Sequence, residues 1–419
     1  MNTLTGFELR KLISRKSTLI GLIGFLVVSL LSTVVPAFQE DSYEASGTVK
    51  GFAAIALEKS YARSFQGELT PAVFSQTAST YQKILNELVN PNEETGMGAG
   101  SGISNEDFYK VYSLSPVLNY LRKGFSPAGE YNYDVVDTLT PEKAATFYDQ
   151  RTGTIQQVLN HPPDGVSYSE DAKATFLRMN DQITIPMKFD YSRGWSLLLQ
   201  NSGFFFLTVC FILSVCTAPV FSGEYQSGAD AIILATRYGR SKLIRAKIKA
   251  SLLFTSGMFL LAWLMALALS MIVYGASGWN SPLQTIDTRY LFSPYPVTVL
   301  GAFLLTTLIG WLACLAIVSF TLLLSSRMRT PFSVMIWSIV LLFVPLFIPE
   351  SRENRLFNHL LALLPGRQTE VYSRFRGYDL IEVAGLNVPL PYAIGWTAFL
   401  IAIVLLPFAW RGFRKHEVA

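Results

Sequence analysis

Six uninterrupted apolar runs, at residues 18–37, 196–220, 250–274, 296–324, 331–348 and 392–410, constrain this chain more than any motif in it. A helix rises about 1.5 Å per residue, so about 20 apolar residues cross a hydrocarbon core about 30 Å thick. Lipid offers the backbone no hydrogen-bond partners, and a single segment can satisfy its own polar groups only as a helix. The runs therefore predict an α-helical integral membrane protein with six transmembrane helices. Half the residues are apolar and 15% are charged, which fits concentrated spans better than a large soluble core.

An even number of crossings puts both termini on one side, and the distribution of Lys and Arg decides which. Residues 1–17, 221–249, 325–330 and 411–419 hold 15 of the 34 Lys and Arg in about a seventh of the chain. Under the positive-inside rule those segments, and hence both termini, are cytoplasmic, in a bacterial plasma membrane. All three cysteines, Cys210, Cys216 and Cys314, fall inside spans, which leaves none on a soluble side for a disulfide or a zinc site.

Residues 38–195 are too long for a loop and read as a mostly helical extracytoplasmic domain inserted between the first and second spans. Helical periodicity runs through 70–89 (Phe74, Tyr81, Ile84, Leu85, Leu88) and 141–159, with Pro71 and Pro141 suited to a first helical position. Gly-rich 96–102 and the prolines Pro91, Pro127, Pro162 and Pro163 punctuate the domain, which carries 13 Lys and Arg against 20 Asp and Glu.

At the N-terminus Leu9, Leu12 and Ile13 share a helical face among Arg10, Lys11, Arg15 and Lys16, the pattern of an amphipathic helix resting on anionic membrane lipids. The alternative is a signal-peptide n-region, with Val35-Pro36-Ala37 as a cleavage site; the following run is longer than a usual h-region, so the span is expected to be retained. In 349–391 an apolar face of Leu356, Phe357, Leu360, Leu361 and Leu364, ended by Pro365-Gly366, predicts a helix that lies in or re-enters the outer interface. His359 sits among them, and a lone histidine there is assigned no role.

The charged island at 221–249 is the richest stretch. Tyr225, Ala229, Ile232 and Ile233 fall at i, i+4, i+7 and i+8, a one-sided stripe suited to a short helix lying on the membrane surface, with Glu224 in its first turn. Tyr238-Gly239 breaks that helix, and Ser241 is placed to cap the next, which carries Lys242, Arg245, Lys247 and Lys249 into the following span. The sequence Glu-x-x-x-Gly (Glu224, Gly228), an apolar run, Arg-Tyr-Gly-Arg (237–240) and Ala246-Lys247 resembles the cytoplasmic loop between the second and third spans of type-2 ABC exporter permeases. Ala229 stands where that family commonly has Thr, and Tyr238 where many members have Pro. The resemblance covers 1–37 and 196–419. It implies a coupling helix docked on a separate ABC ATPase subunit, with Glu224, Gly228, Arg237 and Arg240 as coupling residues, and a homodimer or a heterodimer with a related permease. It also implies an outer re-entrant segment, and pore or gate residues in the second and fifth spans, including Phe204, Phe205, Phe206 and Phe343. For the phenylalanines the alternative is lipid-facing or core packing; for the loop it is a plain topological linker.

The chain lacks G-x-x-x-x-G-K-[ST], H-E-x-x-H and G-x-S-x-G, and its spans carry no Asp, Glu, His, Lys or Arg at their apolar centres. It is therefore not expected to be an enzyme, to hold a cofactor or metal of its own, or to couple transport to an ion. ATP is expected on the partner subunit, and the partners are that subunit, a second permease and membrane lipids, not nucleic acid. Two functions stay open: export of a hydrophobic or amphipathic substrate, or a membrane-anchored sensory or binding module that uses 38–195 without transport.

Overall fold

In the computed structural model, residues 3–88, 105–162, 167–351, 354–383 and 385–415 are described. Gly-rich 96–102, Val89, Pro91 and Pro163 lie outside them. Helix α1 (Thr3–Ile13) turns at Ser14-Arg15 into α2 (Lys16–Gln39). A hairpin follows, β1 (Asp41–Glu44) and β2 (Gly47–Lys50), with Asp41 opposite Lys50. Next come α3 (Phe52–Ser64), β3 (Gly67–Glu68), α4 (Pro71–Leu88), α5 (Asn105–Tyr112), α6 (Ser115–Phe125), α7 (Pro141–Ala144), α8 (Phe147–Asn160), α9 (Glu170–Asp181) and β4 (Lys188–Phe189). Strand β4 closes this polar segment by pairing antiparallel with β3. The remainder is α10 (Arg193–Gln200), α11 (Ser202–Thr217), α12 (Ser222–Ser227), α13 (Ala229–Ala235), α14 (Ile244–Tyr274), α15 (Val299–Ser325), α16 (Pro331–Phe347), α17 (Arg355–Ala362), α18 (Val371–Arg374), the hairpin β5 (Leu380–Val383) and β6 (Leu386–Pro389), and α19 (Leu390–Arg414).

Among the described residues five helices are long and apolar enough to cross a membrane: α2, α11 with the short turn that carries it to Val220, α14 with the turn before it, α15 and α19. The chain is thus a mostly helical, multi-pass membrane protein. Helix α16 is apolar but only 17 residues long, about 25 Å at the helical rise. The run at 196–220 is not one helix, because its first part belongs to α10, which ends at Gln200 before α11 begins. Side-chain caps fix several starts: Thr298 accepts from the Gly301 N–H at α15, and Thr330 from the Ser333 N–H at α16.

Within the bundle, aromatic rings fill space that small residues leave open. A Cβ on Gly310 would stand 2.3 Å from Phe206, so α11 and α15 approach closely only because that position is glycine. Trp263 donates its indole N–H to Thr307 (2.7 Å) and Trp311 donates to Ser256 (3.0 Å), pairing α14 with α15. Cys210 and Cys314 face each other across the core as free thiols, 3.3 Å apart.

The polar segment has its own core. Phe74 of α4 stacks on Phe147 of α8 at 4.0 Å, beside Tyr81 and Leu121. Pro71 and Pro141 do start helices, but the second periodic stretch is split into α7 and α8 around Ala145-Thr146. Buried Arg151 fastens this core to the bundle: its guanidinium donates to the carbonyls of Leu291 (2.8 Å) and Ser293 (3.3 Å) and to Asn180 (2.7 Å). Tyr378 adds a hydrogen bond to the Phe292 carbonyl.

In 349–391, α17 ends at Ala362, short of Pro365-Gly366. Leu361 is buried beneath it, whereas Leu356, Phe357, Leu360 and Leu364 are exposed. His359 stands 3.7 Å from Asp379, whose carboxyl burial would push up but which His359 and Arg355 hold below its usual value. No strand is predicted over 380–389, where β5 and β6 pair antiparallel.

Candidate functional site

The loop between α11 and α14 is not one surface helix. Glycine at 228 adopts φ +67°, a left-handed conformation that side chains with a Cβ resist, and it ends α12 after six residues. Helix α13 then restarts in a new direction. Nothing stands within 4 Å of where a Gly228 Cβ would be, so backbone conformation, not close approach within the chain, asks for glycine there. A tight turn at Gly239, where a Cβ would collide with the Ile233 carbonyl, leads into α14. Ser241 lies inside that turn and caps nothing, because the helical path already begins before it.

Helix α12 touches the ends of four other helices. Its Ser222 N–H and the Phe221 N–H both donate to Ser325 Oγ at the end of α15 (3.0 Å each). Tyr225 donates to the Ser326 carbonyl (2.9 Å), and its ring stacks on Phe413 of α19 at 5.4 Å. Toward α1 and α14 it contributes Glu224, only 8% exposed. That carboxylate accepts from Lys247 at 2.7 Å and from Lys11 at 2.9 Å. Lys247, 2% exposed, also donates to Glu8 of α1 at 3.2 Å. The result is a chain of four alternating charges, Glu8–Lys247–Glu224–Lys11, drawn from three helices and summing to zero.

A buried charge is costly unless paired, and here each has an opposite neighbour. Burial pulls the Glu224 carboxyl upward, but Lys247 and Lys11 outweigh it and hold it below its usual value. The cluster ties α1, α12 and the base of α14 to one another through ion pairs. Arg15 adds to this by donating to the Cys216 carbonyl (2.9 Å) at the end of α11.

The four loop residues picked out in the sequence are therefore not equivalent. Glu224 turns inward, so its charge is spent within the chain rather than offered at the surface. Gly228 forms the break. Arg240 donates to the carbonyls of Leu234 (3.2 Å) and Arg414 (3.1 Å), binding the exposed C-terminal carbonyls of α13 and α19. Arg237 is exposed beside the Tyr238 ring, which also carries Lys242 at 4.1 Å. Ile232, on the short helix α13 that precedes these residues, is 74% exposed.

The four phenylalanines are not brought together either. Phe205 and Phe206 are fully buried in aromatic packing, with Phe25 at 5.8 Å from the first and Trp263 at 4.8 Å from the second. They fill the interior rather than line an opening. Phe343 meets Phe211 edge-on, and Phe204 alone is exposed, on the wall of a 620 Å³ cavity shared with Arg289, Arg374 and Arg376.

Glu8 and Lys11 are not among the predicted site residues, although Glu8 stands out as the single acid in a strongly basic 17-residue segment. Lys247 also falls on the stripe of Ile244, Ser251 and Phe254, which marks it as inward-facing. No protein-family model matches this chain, and no curated protein matches it.

Proposed function

We propose that the chain is the permease subunit of an ABC-type exporter, moving a hydrophobic or amphipathic substrate across the bacterial plasma membrane with ATP hydrolysed by a separate subunit. One observation carries the reading. The two charged ends of the loop pattern, Glu224 and Lys247, lie 23 residues apart in sequence and form a buried ion pair 2.7 Å long, which gives the pattern a mechanical meaning. A push on α13 reaches α14 and α1 through that pair, and α15 and α19 through Tyr225. In this reading Ile232, Arg237 and the neighbouring cations form the docking face, Glu224 transmits force behind it, and α16 is the fifth of six crossings. Residues 40–192 are then extracytoplasmic, both termini are cytoplasmic, and a second permease completes the pathway.

Orientation is tested by single cysteines at Ser46 and Ser227, both exposed, on a cysteine-free background. An impermeant thiol reagent on intact cells labels position 46 and spares 227; equal labelling overturns the arrangement. Coupling is tested with Ile232→Asp combined with Arg237→Glu. The variant inserts and melts as the wild type does, but loses association with its ABC ATPase subunit and loses export. Unchanged association and export would leave the loop a topological linker and favour the sensory or binding module.

A further inference from the structure

A cavity of 260 Å³ lies where the polar segment meets the bundle, between α3, α5 and α6 on one side and the start of α10 and the 285–288 turn on the other. Junctions of this kind are where small-molecule sites concentrate. Its charged lining is three acids, Glu58, Asp190 and Asp287, against one base, Arg193. The base is already taken, by Glu40 at 2.6 Å, and Asp287 is taken by Arg289 at 2.8 Å. Glu58 differs. Among the described residues no cation stands within ion-pair distance of it, and the Tyr112 hydroxyl donates to it at 3.4 Å.

Around that carboxylate the walls are aromatic: Tyr61, Tyr112, Tyr120 and Tyr191. Tyr191, 6% exposed, has a buried hydroxyl with no hydrogen-bond partner, which is free to accept an N–H. Lys59 stands 5.8 Å from the centroid of the same ring, so the ring already attracts a cation from the protein. Burial pushes the Glu58 carboxyl up, and the nearby Arg193, itself paired with Glu40, only partly offsets it.

We infer that this cavity binds the head of an organic cation, an ammonium or guanidinium group, with Glu58 as counter-ion and the tyrosine faces as walls. Among the described residues no three His, Cys, Asp or Glu converge as a metal site would need, and rings suit an organic cation better than a bare ion. Drug-sized sites span about 300–1,000 Å³, so 260 Å³ admits a charged head and not a whole amphiphile. Identifying that head with the exported substrate rests on the exporter reading; the binding itself does not.

The test is calorimetric titration of the purified full-length chain in lipid nanodiscs, without any ATPase, using agmatine and tetramethylammonium, with glutarate as anionic control. Agmatine and tetramethylammonium bind saturably and glutarate does not. Glu58→Gln weakens agmatine binding at least tenfold with an unchanged melting temperature, and Tyr191→Phe, which keeps the ring and loses the hydroxyl, weakens agmatine severalfold and spares tetramethylammonium. The inference is overturned if the wild type takes up no agmatine at concentrations on the order of 10 mM, or if Glu58→Gln binds it as well as the wild type. Because no ATPase is present, loss of the exporter reading leaves a positive result standing, and a negative one leaves the exporter reading untouched.

Discussion

The two ends of the bundle handle buried charge in opposite ways. At the α12 end, two carboxylates and two ammonium groups close on one another, and Lys247 keeps 2% of its surface. At the end carrying the polar segment, Glu58 faces a cavity whose one base, Arg193, is paired with Glu40. A closed set of charges resists displacement and so transmits force; an open one invites a partner from outside. The same residue type thus serves rigidity at one end and receptivity at the other, and neighbours within about 4 Å decide which.

The largest effect expected from breaking this contrast is at the closed end. Glu224→Leu leaves Lys247 with Glu8 alone and lowers stability by about 3 kcal/mol in thermal unfolding. The triple variant Glu8→Leu, Glu224→Leu and Lys247→Leu regains most of it, because no buried charge is left unpaired and the remaining cation, Lys11, has a side chain 42% exposed. The pH dependence carries the same signature. Glu224 has a depressed folded pKa, so its stabilisation is complete above the ordinary carboxylate range and is lost as the pH falls from there through the lower folded value. Melting curves of wild type and Glu224→Leu therefore converge in acid and separate toward neutral pH.

A smaller effect is expected where the polar segment is fastened. Arg151→Met removes donors from the Leu291 and Ser293 carbonyls and from Asn180, costing about 2 kcal/mol. Its readout is faster protease cleavage within 40–192, with α12 and α13 remaining as resistant as in the wild type. If both ends loosen together, the two are one cooperative unit and the contrast between them is only chemical.

The apolar helices were legible because burial in lipid acts on each segment separately, so run length alone announces them. The helices begun by Pro71 and Pro141 were legible for a similar local reason. What stayed hidden is long-range. Glu8, Glu224 and Lys247 are far apart in sequence, and only the folded backbone shows that they meet. The stripe from Tyr225 to Ile233 suggested one helix because periodicity does not register a single left-handed residue, and Gly228 is also compatible with an unbroken helix at modest cost. Phe205 and Phe206 are pore candidates only through the family resemblance, whereas the glycine opposite, Gly310, marks Phe206 as packing.

Helix α16 has a consequence for the bilayer itself. In the six-crossing arrangement its 17 residues cover about 25 Å of a hydrocarbon layer about 30 Å thick. Arg367 reaches its last carbonyls, donating to Pro345 (3.0 Å), Leu346 (3.3 Å) and Ile348 (2.6 Å), so the helix terminates against a cation rather than extending further. Lipid bordering this face must pinch inward to match it. In that arrangement a molecule with one polar end meets a shorter stretch of oil beside α16 than beside the longer helices.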